Sequence, residues 1–254
     1  MGETLAGTVA LITGASSGIG EAAAHALAAE GAAIAAVARR GDRLESLVAA
    51  LAASGGAALA IEADITDEAQ AIGSVERTIE EYGRLDILVN NAGVMLLGPI
   101  FDAPTEEWRR MIDLNLTALL TMSHAALPHL LEAAQSPPRQ VADIVNISSV
   151  AGRVARSGSG VYNLTKWGVG AFTESLRQEV TNRYVRVSVV EPGATATELT
   201  THLRPEIFEQ SRERFAGITP LSAADIADAI AFVVTRGREM AVNEVLVRPT
   251  TQAF

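Results

Sequence analysis

Thr13-Gly14-Ala15-Ser16-Ser17-Gly18-Ile19-Gly20 is the stretch on which the fold turns. It follows an apolar run at 8–12 and opens an Ala-rich segment at 18–30 that Gly31 ends. The pattern predicts a buried strand, a tight turn and a helix. Glycines at such a turn let backbone N–H groups approach a pyrophosphate at the helix N-terminus. The spacing here is Gly-x-x-x-Gly-x-Gly. Glycines after a strand can also serve a turn and nothing more; the strand and small-residue helix on either side favour the phosphate reading.

Working outward, the same alternation repeats. Strands are predicted at 33–38, 57–61 and 86–89, with helices at 42–53 and 67–82 between them. A long helical region covers 105–134, opened by Thr105 with Glu106 and Glu107 in its first turn. A strand at 141–147, a helix at 160–182, a strand at 186–190, a helix at 223–235 and a short strand at 244–247 complete the series. Regular βα alternation predicts an α/β chain with a doubly wound, mostly parallel sheet and helices on both faces. Ser136-Pro137-Pro138-Arg139 reads as a surface turn, and no linker or repeat divides the chain, so residues 1–254 are expected to form one domain.

Composition narrows the chemistry. Of 254 residues 48% are hydrophobic and 4% aromatic, so the core must be aliphatic. Twenty Lys and Arg against 30 Asp and Glu leave a net charge of −10, which disfavours a nucleic-acid partner. With no cysteine there is no disulfide, iron–sulfur cluster or thiol catalysis. His25, His124, His129 and His202 lack metal-ligand spacing, and no metal is expected. No apolar stretch reaches the roughly 18 residues of a membrane span and no targeting signal is recognisable, which points to the cytoplasm.

Arg39-Arg40 follow the second strand, where a carboxylate would hold the adenosine ribose of NAD and an arginine the 2′-phosphate of NADP. Two guanidiniums without a preceding carboxylate favour NADP(H) over NAD(H), against the alternative of a solvated pair opening a loop. Asp64 lies where it can bond an adenine amino group; it could also cap the next helix, although Thr66 or Asp67 is better placed for that. Tyr162 and Lys166 stand one turn apart on a single helix face. A nearby ammonium stabilises a phenolate, which suits proton exchange with an alcohol. Ser148-Ser149 adds a hydroxyl at the carboxyl edge of the sheet.

With Thr13–Gly20, Asp64, Asn90-Asn91-Ala92-Gly93, Asn115, Ser149, Tyr162, Lys166 and Pro192-Gly193 in this order, the chain resembles the short-chain dehydrogenase/reductase family from end to end. The resemblance implies a Rossmann-type sheet of seven strands in the order 3-2-1-4-5-6-7. It implies a catalytic set of Asn115, Ser149, Tyr162 and Lys166, the family spacing selecting Ser149 over Ser148. Tyr162 would be the general acid or base, and Lys166 would lower its pKa and hold the nicotinamide ribose. Ser149 would bond the substrate oxygen, and Asn115 would kink its helix and hold a water relaying protons to Lys166. The dinucleotide would meet Gly14, Ser16, Ser17, Gly18, Ile19, Gly20, Arg39, Arg40, Asp64, Ile65, Asn91, Ala92, Gly93, Tyr162, Lys166, Pro192, Gly193, Thr195 and Thr197. Asn91 would contact its adenosine side, and Thr195 and Thr197 the nicotinamide carboxamide or the pyrophosphate. Thr195 departs from the Val or Ile common there in the family.

The resemblance also makes 198–221 a lid over a pocket drawing on Met95, Leu96 and Leu199. Arg153 and Arg156 are candidates for a substrate carboxylate or, alternatively, solvated loop charges. Asn243-Glu244-Val245-Leu246-Val247-Arg248-Pro249-Thr250 resembles the tail of a branch containing 3-hydroxy acid (serine-type) dehydrogenases and a clavaldehyde-dehydrogenase-like reductase. The expected activity is NADP(H)-dependent hydride transfer to or from a small aldehyde, ketone or 3-hydroxy acid, with secondary metabolism as a setting. Reduction of 3-oxoacyl thioesters and non-catalytic dinucleotide sensing stand as alternatives. A homo-oligomer, tetramer or dimer, is implied, with the segment 248–254 packing on another subunit.

Overall fold

The structure is a computed structural model and describes residues 4–253. The chain runs β1 (Val9–Thr13), α1 (Gly18–Ala29), β2 (Ala33–Ala38), α2 (Gly41–Ala53), β3 (Ala58–Glu62), α3 (Glu68–Tyr82) and β4 (Ile87–Asn90). It continues with α4 (Thr105–Ile112), α5 (Ala118–Ala133), β5 (Ala142–Ile147), α6 (Gly160–Val180), β6 (Val185–Pro192), α7 (Pro205–Arg214), α8 (Ala223–Val234) and β7 (Glu244–Val247). The strands form one sheet in the order β3-β2-β1-β4-β5-β6-β7, and every pairing is parallel. This is the Rossmann-like doubly wound arrangement that the alternation implied.

Side chains of a strand alternate between faces, so a sheet covered on both sides needs apolar residues at every position. In β1, Ala10 and Ile12 pack with Ala23, Ala24 and Leu27 of α1 and with Ile226 and Ile230 of α8. Val9 and Leu11 face the opposite layer, with Val75 of α3, Met122 and Leu130 of α5 and Leu176 of α6. The order reverses between β1 and β4, which opens a crevice at the carboxyl ends of the strands.

Most boundaries fall within a residue or two of the sequence reading, but the long helical region is not continuous. A π-helical turn, Asp113–Thr117, separates α4 from α5. Short 3-10 segments at Val150–Gly152 and Glu198–His202 lie where loops were predicted. Among the described residues no helix is long and apolar enough to cross a membrane. Phe254, the end of the segment expected to meet another subunit, lies outside the described residues.

Candidate active site

A cleft of about 580 Å³ opens at the carboxyl ends of β1, β2, β4, β5 and β6. Its floor is the glycine turn. Gly14 has φ +68°, a conformation costly for any residue with a Cβ, and a Cβ there would lie 2.9 Å from the Ala92 Cα. Gly20 does not face the cleft; a Cβ on it would come within 2.4 Å of the Gly14 carbonyl oxygen, so its bareness lets α1 pack against the turn. The turn is braced from β4. Thr13 Oγ1 accepts from the Asn91 and Ala92 N–H groups at 3.0 and 3.1 Å, and Asn91 Nδ2 donates to the Thr13 carbonyl at 2.9 Å. Asn91 thus spends its amide on the turn, while its residue still lines the cleft.

One end of the cleft is cationic. Arg39 is largely exposed, its guanidinium 3.9 Å from Asp64. Arg40 reaches over the glycine turn, donating to Ser16 Oγ at 3.1 Å and to Ser17 Oγ at 2.7 Å. Its Nη1 pairs with Glu198 at 2.8 Å, and Arg43 takes the other oxygen of the same carboxylate at 2.7 Å. Asp64 does not cap α3, since Asp67 accepts from the Gln70 N–H. Asp64 accepts instead from the Thr66 hydroxyl at 2.7 Å and its N–H at 3.1 Å. Those bonds, helped by Arg39, hold its carboxyl below the usual range.

The other end carries the acid–base groups. Ser149 is at the exit of β5, its Oγ accepting from the Ala151 N–H at 3.1 Å and donating to the Pro192 carbonyl at 3.5 Å. Tyr162 is buried and shares a hydrogen bond with Ser149. Burial pushes its phenol up to about 12, and the Ser149 bond acts in the opposite sense. Lys166 is buried too, one turn along α6, its Nζ 5.8 Å from the tyrosine ring centre and donating to the Ile147 carbonyl at 2.9 Å. Burial lowers Lys166 to about 8. At neutral pH the lysine is therefore still a cation beside the phenol, but desolvation, not its field, dominates the phenol in this structure. Ser148 lines the cleft as well, but its hydroxyl donates to the Lys166 carbonyl at 2.9 Å, pinning α6 to β5.

Asn115 sits inside the π-helical turn, fully buried and outside the cleft lining. Its Oδ1 accepts from the Val94 N–H at 2.8 Å and its Nδ2 donates to the Val94 carbonyl at 2.9 Å, as a neighbouring strand would. The same Nδ2 reaches Thr165 Oγ1 at 3.2 Å, which donates to the Tyr162 carbonyl at 2.9 Å. The π turn where a kink was expected thus ties the segment after β4 to the helix bearing Tyr162 and Lys166. Thr197 Oγ1 accepts from the Leu199 N–H at 3.3 Å, and Thr195 Oγ1 donates to the Gly193 carbonyl at 3.1 Å.

Of the residues singled out from sequence, Gly14, Ser16, Ser17, Gly18, Ile19, Arg39, Arg40, Asp64, Ile65, Asn91, Ala92, Gly93, Ser149, Tyr162, Lys166, Pro192, Gly193, Thr195, Thr197 and Leu199 all line this one cleft. Met95, Leu96, Arg153 and Arg156 do not. Leu96 is buried with Val94, Met111 and Tyr162, and Met95 packs against that cluster. Arg153 is not left for a substrate carboxylate: it pairs with buried Glu191 at 2.8 Å and with Glu244. Sequence reading missed Arg110, Leu114, Glu198 and His202, which also line the cleft. Arg110 and Leu114 share an i,i+4 face leading to Asn115, a signal that was available. Burial and the Arg110 and Arg39 guanidiniums push the His202 imidazole below its usual range.

The cleft suits a dinucleotide. Its glycine turn leaves room for a close anionic approach at the N-terminus of α1, Arg39 and Arg40 line one end, and buried Tyr162 and Lys166 line the other.

Comparison with known proteins agrees. Residues 8–207 match the short chain dehydrogenase family. Serine 3-dehydrogenase of Rhizobium radiobacter is 35% identical over 251 residues, covering 98% of this chain and 96% of that protein. Glycine betaine reductase ATRR of Emericella nidulans is 39% identical over 245 residues, 96% of this chain but 19% of that protein, so the chain spans about a fifth of that relative's length. A short-chain dehydrogenase of Burkholderia cenocepacia, solved in complex with NADP, superposes with a TM-score of 0.83 at 32% identity, covering 96% of this chain and 98% of that one. The chain belongs to the short-chain dehydrogenase family of oxidoreductases.

Proposed function

We propose that the chain is an NADP(H)-dependent oxidoreductase that moves a hydride between nicotinamide C4 and a small carbonyl or alcohol substrate, an aldehyde, a ketone or a 3-hydroxy acid. The observation carrying this reading is that Ser149, Tyr162 and Lys166 stand at one end of the cleft whose other end holds the glycine turn with Arg39 and Arg40. Relatives of known name act on serine or carry NADP, which supports the same reading.

In this scheme the Tyr162 hydroxyl gives a proton to the carbonyl oxygen in reduction and takes one from the alcohol in oxidation. Ser149 donates a hydrogen bond to that oxygen as negative charge grows on it. Lys166 holds a positive charge behind the phenol and favours its anionic form as proton transfer proceeds. Asn115 acts through Val94 and Thr165, keeping α6 and the segment after β4 in register, and an ordered water near it would pass protons on to Lys166. Arg39 and Arg40 receive the adenosine 2′-phosphate, Asp64 the adenine amino group, and Thr195 and Thr197 border the carboxamide end. Residues 198–221, with Leu199, cover the substrate. Leu164 and Trp167 on α6 are more than half or half exposed, and we assign that face to a homo-oligomeric contact.

Tyr162→Phe keeps the ring and removes the transferable proton. Turnover should fall by about 10³-fold or more, while NADPH binding changes by less than about threefold. The measurement is NADPH absorbance with aldehydes, 3-oxo acids, semialdehydes and acyl thioesters, next to a fluorescence titration of the dinucleotide. Activity surviving in the variant would sink the mechanism; tight NADPH binding by the unmodified protein with no response to any substrate would favour a sensor.

A further inference from the structure

We infer that Glu198 is an internal competitor for the adenosine 2′-phosphate, and that Arg43 holds it aside when a phosphate arrives, so the two residues set how strongly the chain prefers NADP(H). The inference rests on the reading of Arg39 and Arg40 as the 2′-phosphate site.

Three observations carry it. The Glu198 carboxylate lines the same cleft as Arg39 and Arg40, although it is 158 residues from Arg40 in the chain. It does not sit on Arg40 alone: one oxygen pairs with Arg40 at 2.8 Å and the other with Arg43 at 2.7 Å. Arg40 is otherwise occupied by the turn, its Nε bonded to Ser16 Oγ and its Nη2 to Ser17 Oγ and the Ser16 carbonyl. The Nη1 edge that Glu198 holds is thus the edge Arg40 has to offer an incoming anion.

A 2′-phosphate carries close to two negative charges near neutral pH and forms bidentate bonds to a guanidinium. Reaching Arg40, it meets a carboxylate already seated there, which the two arginines keep ionised down to about pH 2. Like charges cannot share the edge without cost, so Arg40 exchanges partners. Arg43, in the first turn of α2, lets the exchange occur without stranding Glu198, because the carboxylate keeps one arginine throughout. A cofactor without the phosphate has no reason to force the exchange. Glu198 also begins the segment that leads to α7, so the exchange frees the start of that segment from Arg40 while Arg43 keeps it tied to α2.

The test uses 2′,5′-ADP and 5′-AMP, which differ by the phosphate alone, titrated calorimetrically into the full chain. The unmodified protein should bind 2′,5′-ADP more tightly. Glu198→Gln keeps the shape and removes the charge; 2′,5′-ADP should bind about threefold to tenfold more tightly, with 5′-AMP changed less than about twofold. Glu198→Asp keeps the charge and should keep the original ratio. Arg43→Met should weaken 2′,5′-ADP by about threefold alone, and by clearly less in the Glu198→Gln background, where no carboxylate needs holding. A preference for 2′,5′-ADP that Glu198→Gln leaves unchanged or lowers overturns the role of Glu198 and leaves the phosphate site standing. Glu198→Asp matching Glu198→Gln overturns it as well, since charge would then not be the cause. An unmodified protein with no preference for 2′,5′-ADP overturns the phosphate site and this inference together.

Discussion

Lys166 shows how one side chain's burial becomes a measurable property of the whole protein. Its pKa falls from 10.5 to about 8 because burial disfavours the charged form. Between those values the unfolded chain holds a proton that the folded chain has released, so unfolding takes up a proton and stability rises with pH across that window. Below pH 8 the folded chain must bury the charge. Lys166→Met removes that cost together with the bond to the Ile147 carbonyl, and the variant should be more stable at pH 7 by about 2 kcal/mol. The advantage should shrink by pH 9.5, below the range where the Tyr162 proton begins to matter. Thermal melts of the two proteins at pH 7 and 9.5 check this; an unchanged gap would mean the lysine is well solvated.

At the scale of elements, the π-helical turn is the joint that carries the site. Asn115 supplies Val94 with both a donor and an acceptor, the role a strand would play. Asn115→Ala leaves two buried backbone groups unpaired and should cost about 2–3 kcal/mol in urea unfolding, with Asn115→Asp losing at least as much, because a carboxylate oxygen would face the Val94 carbonyl in place of the amide donor and bury an unpaired charge. An ordinary helical asparagine would cost less than about 0.5 kcal/mol. The strands and main helices were legible because period and glycine punctuation are local: β2 and β7 match their predicted spans to the residue. The glycine turn was legible for the same reason. The division of 105–134 was not legible from period or glycine spacing; only the family resemblance placed a kink at Asn115, whose partner Val94 is 21 residues away. Nor was the Glu198 carboxylate, whose partners come from α2 and the end of β2 through tertiary packing alone. Arg153 misled for the opposite reason: a charge in a loop near the site reads as free until Glu191 and Glu244 are seen beside it.

For the whole molecule, three of the exposed apolar side chains are assigned to the proposed contact with another copy. Leu164 and Trp167 lie on α6 and Leu120 on α5. Trp167→Glu places a charge in that face, and the mass from light scattering should drop to a smaller species, with the melting temperature falling at low protein concentration. An unchanged mass would place the contact elsewhere. The sheet order has a further consequence, one of time. β1 is an interior strand, and its second neighbour is β4, with the Val9 N–H bonded to the Asp86 carboxylate 77 residues on. During synthesis β1 must therefore wait, one edge bare, until the residues up to Ile87–Val89 have followed it out of the ribosome. Every later pairing is likewise parallel and spans a helical connection, so no hairpin can form early to shield it. The nascent chain is most exposed to wrong pairing during that interval, and it ends when Ile87, Leu88 and Val89 arrive beside Ala10, Leu11 and Ile12.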